Sequence, residues 1–139
     1  MTKVARISYE DAAADVEGIS DALETPVDRR IKPLVIGLIM WNIRTTGSCE
    51  GHADNERYPF PWVDIDKRDL RRLVELVQRQ NHLRLHDGNI NTNRWAIMPH
   101  LADEVRLIPL NTGRPLSEMQ AGAVEFGEFL RDLPDEGNF

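Results

Sequence analysis

A single cysteine, Cys49, leaves the chain of 139 residues with no possible internal disulfide, which excludes a disulfide-stapled scaffold and fits a reducing compartment. No apolar run approaches the roughly eighteen residues of a membrane helix. The longest, Leu34 to Ile43, is short and is interrupted by Gly37 and Asn42. The first residues, Met1 to Arg6, have no apolar stretch behind their charges and soon reach Glu10 and Asp11, unlike a signal peptide. These absences lead to the expectation of a cytoplasmic chain with no membrane partner. Positive charge is also in deficit, with 17 Lys and Arg against 23 Asp and Glu, a net charge of -6 and a pI near 5.2. That balance argues against a phosphate-backbone binder, which needs a clustered basic surface. The one basic cluster, Lys67, Arg68, Arg71 and Arg72 with Arg79 beyond it, reads as the solvated face of a helix. An anion or RNA contact there, as in an RNA-interacting accessory protein, is the last alternative. There is no internal repeat and no low-complexity linker.

What is present is an ordinary globular balance, 41% hydrophobic and 29% charged, in a length typical of one domain. A single domain over 1–139 is expected, with an acidic, loose tail at 134–139. Ser8 reads as the cap of a first helix with Glu10 and Asp11 in its first turn, and Ala12, Val16, Ile19 and Leu23 form its stripe. Thr25-Pro26-Val27-Asp28 reads as a second helix start. Ile31 to Ile43 is apolar on nearly all sides and is expected to be the buried central helix, kinked or restarted at Pro33.

Thr45 to Cys49 then reads as a short strand, and Phe60 to Ile65 as a half-buried one. Asp66 should cap a helix in which Asp69 completes a capping box and Leu70, Leu73, Val74 and Val77 face inward. Arg94 to His100 and Glu104 to Leu110 suggest a hairpin. Ser117 opens a last helix with Leu116, Met119, Ala123, Phe126, Leu130 and Leu133 on one face. The expected fold class is α+β, a two-layer arrangement of a small, mostly antiparallel sheet against about four helices. The apolar helix is also compatible with the interface of a homo-oligomer.

The densest chemistry lies at Thr46-Gly47-Ser48-Cys49-Glu50-Gly51-His52. If Thr45 to Cys49 is extended, Thr46 and Ser48 face one way and Thr45, Gly47 and Cys49 the other. Gly51 permits a sharp turn that would bring His52 back toward Cys49 or Glu50. Four readings are open. In the first, Cys49 is a small buried residue, Thr46 and Ser48 satisfy backbone groups, and Glu50 and His52 are solvated. In the second, the loop binds a small polar or anionic ligand through Thr46, Ser48, Cys49, Glu50, Gly51 and His52, with Trp62 beside it. In the third, Cys49-x-x-His52 joins His82-x-x-x-His86 in a zinc site. In the fourth, Cys49 is a nucleophile with His52 as base and Glu50 or Asp54 orienting it. Trp62 and Trp95 read either as a pocket lining or as plain core, and His100 as a pocket residue or an exposed loop residue.

The run from Thr46 to His52, followed by Pro61-Trp62-Val63-Asp64-Ile65, resembles a pattern in small bacterial and phage proteins of unassigned function. The resemblance covers about twenty residues and implies only that the cysteine loop and the next strand recur as a unit. Ser48-Cys49-Glu50-Gly51 is also distantly similar to the Ser-Cys-Ser-Gly-Arg segment of the wybutosine-synthesising tRNA methyltransferases. His52 stands where that family has arginine, and no activity is carried over.

Overall fold

The computed structural model describes residues 6–23, 27–52, 59–85 and 93–134, with the backbone alone at 19–23 and 84–85. Among the described residues the fold is α+β, with four helices and a four-stranded antiparallel open sheet. The helices are α1 (Tyr9–Leu23), α2 (Lys32–Met40), α3 (Leu70–Leu85) and α4 (Leu116–Asp132). The strands are β1 (Thr45–Cys49), β2 (Trp62–Asp66), β3 (Trp95–Leu101) and β4 (Glu104–Pro109). Their order across the sheet is β1-β2-β4-β3.

Ser8 caps α1 as its sequence suggests, the Asp11 N–H donating to its hydroxyl oxygen at 3.1 Å. Ala12 and Val16 are buried, whereas the side chains of Ile19 and Leu23 lie outside the described residues. Of the helix start expected at Thr25-Pro26-Val27-Asp28, Thr25 and Pro26 also lie outside them, whereas Val27 and Asp28 are not helical and the helix begins only at Lys32.

Helix α2 is shorter than the expected Ile31 to Ile43, and of the kink or restart expected at Pro33 it is a helix start that is found. Proline sits in the first turn, where its missing N–H costs nothing, so it begins the helix instead of breaking it. The far end is closed by Asn42, which takes a φ of 61°. Ile43 N–H then donates to the Leu38 carbonyl and Asn42 N–H to that of Ile39, a Schellman arrangement with asparagine in the usual glycine place. Arg72 covers two more carbonyls, those of Trp41 and Asn42. Nine residues without a side-chain N-cap would be a marginal helix in water. Burial supplies the difference, since Leu34, Val35, Leu38 and Met40 are almost wholly covered and each such side chain contributes about 1.5–3 kcal/mol. The central position expected for this helix holds, because it packs against both α1 and α4.

Asp66 caps the turn that leads into α3 by accepting from the Arg68 N–H at 2.9 Å. Asp69 does not complete a capping box. Its carboxylate accepts instead from the Arg44 N–H and from the Arg44 guanidinium. Helix α3 runs on through His82 to Leu85, so His82 is helical. Helix α4 begins one residue before Ser117, behind Pro115, and buries Met119, Ala123, Phe126 and Leu130 as its period requires.

One sheet face carries Val63, Ile65, Val105, Leu107 and Trp95 into the core formed with the helices. The start of β3 is held by side-chain amides. Asn81 both donates to the Trp95 carbonyl and accepts from its N–H, acting as a strand partner, while Asn93 accepts from the Trp95 indole. The β3–β4 hairpin appears as expected, with a register shift between Pro99 and Leu101. A second shift falls between Thr45 and Gly47, and it changes the predicted alternation of β1. The extra residue puts Thr45 opposite Ile65, on the core side with Ser48, while Gly47 and Cys49 lie opposite Asp64 and Trp62 on the outer face.

Candidate functional site

The loop after β1 is positioned by groups far from it in sequence. Glu50 N–H donates to the Asp28 carboxylate at 3.0 Å, and the buried Gln120 amide of α4 donates to the Glu50 carbonyl at 3.1 Å. Gly51 N–H donates back to the Cys49 sulfur at 3.3 Å. The Glu50 carboxylate accepts from the Arg30 N–H and guanidinium, both at 3.3 Å. Gly51 makes this turn possible. Its φ is +87°, and a Cβ there would lie 2.7 Å from the Phe60 carbonyl carbon, so only glycine fits.

Three donor groups of different kinds are thereby gathered. One ligand atom each from Asp28, Cys49 and His52 lies within 4.8 Å of the others. The sequence foresaw His52 folding back toward Cys49 but not the arrival of Asp28, which reads locally as a helix-start acid. Trp62 lies across from Cys49 on the neighbouring strand. Of the remaining loop residues, Ser48 is half-buried opposite Val63 on the other face and Thr46 is exposed at the bulge.

His82 is not a member of this gathering among the described residues. It lines a groove of about 710 Å³ between α3 and α4 with Arg79, Leu83, Phe129 and Leu133. His86 and Asp54 lie outside the described residues. A second groove, about 780 Å³, is lined by residues of α1, α2, β1 and α3, including Gly18, Arg44 and Arg72. Neither groove is lined by a residue of the cysteine loop.

The thiol environment bears on the nucleophile reading. Burial pushes the Cys49 thiol up, and the Asp28 and Glu50 carboxylates add to the effect, outweighing the Gly51 N–H that favours thiolate. A thiol nucleophile needs the opposite surroundings. The basic cluster is likewise occupied in part. Arg68 is paired with Asp66 at 2.7 Å, and Arg72 is bonded to the end of α2.

The outer sheet face holds a second polar cluster that no motif announced. Arg106 grips Asp64 with two bonds of 2.6 and 3.0 Å, and both side chains are nearly inaccessible. The guanidinium stacks on the Trp62 ring at 4.1 Å. His100 Nε2 lies 3.1 Å from Arg106 Nη2, 3.3 Å from Asp64 and 4.0 Å from Glu104. Asp64, His100 and Glu104 have metal-like spacing, but the Arg106 cation already sits among them. The signal that could have found this cluster is the pair Val63-Asp64-Ile65 and Val105-Arg106-Leu107, two opposite charges at matching places in alternating strands.

Comparison with protein-family models, with curated proteins and with solved structures finds no match to this chain. Among the described residues, no helix is long and apolar enough to cross a membrane.

Proposed function

We propose that the chain is a small-ligand-binding domain whose binding point is the Ser48–His52 turn with Asp28, flanked by Trp62. Preorganisation carries this reading. Backbone groups of Glu50 and Gly51 are satisfied by Asp28, Cys49 and Gln120, while the side chains of Asp28, Cys49 and His52 converge beside the turn. A site that is already ordered loses less free energy on binding.

Charge narrows the ligand. The carboxylates of Asp28 and Glu50 stand beside the thiol, and the Arg30 guanidinium is bonded to Glu50. A cation or a neutral hydrogen-bond donor is favoured over an anion. The test is amide-shift mapping on ¹⁵N-labelled chain with methylammonium, methylguanidinium, zinc and inorganic phosphate added in turn. At least one of the cations should shift residues 48–52 and Trp62 in a saturable way, and phosphate should leave them in place. If no cation moves those amides, or phosphate alone does, the reading fails.

A further inference from the structure

Resting on that reading, the geometry points to a more specific ligand: Asp28, Cys49 and His52 form a three-ligand site for a zinc-class divalent ion. The donor set is one sulfur, one imidazole nitrogen and one carboxylate oxygen. Thiolate and imidazole select transition metals, whereas calcium and magnesium take oxygen ligands throughout.

One edge of the site is near metal spacing before any ion is considered, and all three ligand atoms lie within 4.8 Å of one another. A tetrahedral ion with bonds of about 2.1 Å holds its ligand atoms about 3.5 Å apart. His52 Nε2 lies 4.0 Å from Asp28 Oδ2, so a shift of about half an ångström would complete that edge. The shift is accessible because the His52 side chain is 53% exposed and its ring can turn. Asp28 and Cys49, by contrast, are held by backbone donors, the Glu50 N–H on the carboxylate and the Gly51 N–H on the sulfur. Such outer bonds orient metal ligands.

The other acid–histidine cluster of this fold supplies the contrast. Asp64, His100 and Glu104 surround a built-in cation, Arg106. Beside Asp28, the Arg30 guanidinium is directed to Glu50 instead. Three protein ligands also leave a fourth position for water or a second ligand, which is the pattern of open zinc sites. His82 has no part in this set among the described residues, and the third ligand is an aspartate from the turn before α2.

The experiment is a cobalt(II) titration of the untagged full chain, followed by displacement with zinc. One equivalent should produce the near-ultraviolet thiolate-to-cobalt charge-transfer band and the intense visible bands of a tetrahedral ion. Cys49→Ser should abolish the charge-transfer band. Asp28→Asn and His52→Gln should each weaken binding by about tenfold or more, and His82→Gln should leave it unchanged. Circular dichroism of each variant checks that the fold persists, and Asp28→Glu, which keeps the carboxylate, should retain more affinity than Asp28→Asn. Absence of the bands in the parent chain overturns the inference, as does binding that is indifferent to Asp28→Asn or lost in His82→Gln. If cobalt and zinc fail while methylammonium or methylguanidinium still shifts the turn, the metal inference falls and the ligand-binding reading stands. If none binds, both fall.

Discussion

Asp69 illustrates how much a single side chain depends on partners distant in sequence. Local spacing makes it a capping-box acid, yet its carboxylate holds the N–H and guanidinium of Arg44 at 2.8 to 3.2 Å. Burial alone would push this carboxyl up. The Arg44 hydrogen bonds and charge outweigh that and hold it below its ordinary value of 3.8. Because the folded state favours the charged form, the stabilisation is present at neutral pH and is lost as pH falls below about 4 and through the lowered folded value. Asp69→Asn should therefore cost about 1.5–3 kcal/mol at neutral pH, the range for hydrogen bonds to a charged group. The gap from the parent should be smaller at about pH 3 than at pH 7, because protonation of the carboxyl, which removes the difference, sets in below its ordinary value. Urea midpoints at the two pH values measure it, and a gap independent of pH would remove Arg44 as the cause.

At the scale of elements, the contact of α2 with α4 is governed by glycines that a propensity scale would count as defects. A Cβ on Gly127 would lie 2.4 Å from the Pro33 carbonyl oxygen, and one on Gly37 would lie 3.0 Å from that of Gly127. Replacing Gly127 by alanine gains about 1 kcal/mol of helix propensity. Overpacking against backbone, which cannot rotate away, costs about 1–3 kcal/mol and often more in so tight a contact. Gly127→Ala should thus lower the thermal midpoint despite its better propensity. A raised midpoint would mean that the two helices do not approach this closely.

For the molecule as a whole, the sheet turns Val63, Ile65, Val105, Leu107 and Trp95 into the core, and its outer face conceals an ion pair. Asp64 and Arg106 join the two central strands, β2 and β4, and Trp62 lies over the guanidinium. Removing one partner of such a pair leaves an uncompensated buried charge, at about 3–5 kcal/mol. Arg106→Met should show that loss, whereas Asp64→Leu combined with Arg106→Met should recover most of it. A double-mutant cycle in urea reads the coupling. Additive losses would mean that the pair does not act as a unit in holding β2 and β4 together.

Much of this fold was legible from local pattern. Ala12 and Val16 of α1, Leu73 and Val77 of α3, the stripe of α4 from Met119 to Leu130, the Ser8 and Asp66 caps, the β3–β4 hairpin and the α+β class all follow from local spacing and periodicity. The Ser48–His52 turn was legible too, because a positive φ at Gly51 is a property of one residue. Partnership was not. Asp28 meets the Glu50 N–H across 22 residues and Arg106 meets Asp64 across 42, and neither spacing follows from any period. A one-residue bulge in β1 decided which side chains share a face with Cys49. The sequence by itself determined the elements and the turn that bears the cysteine; only the tertiary structure, by choosing register and chain reversals, decided that an aspartate, and not His82, stands beside it.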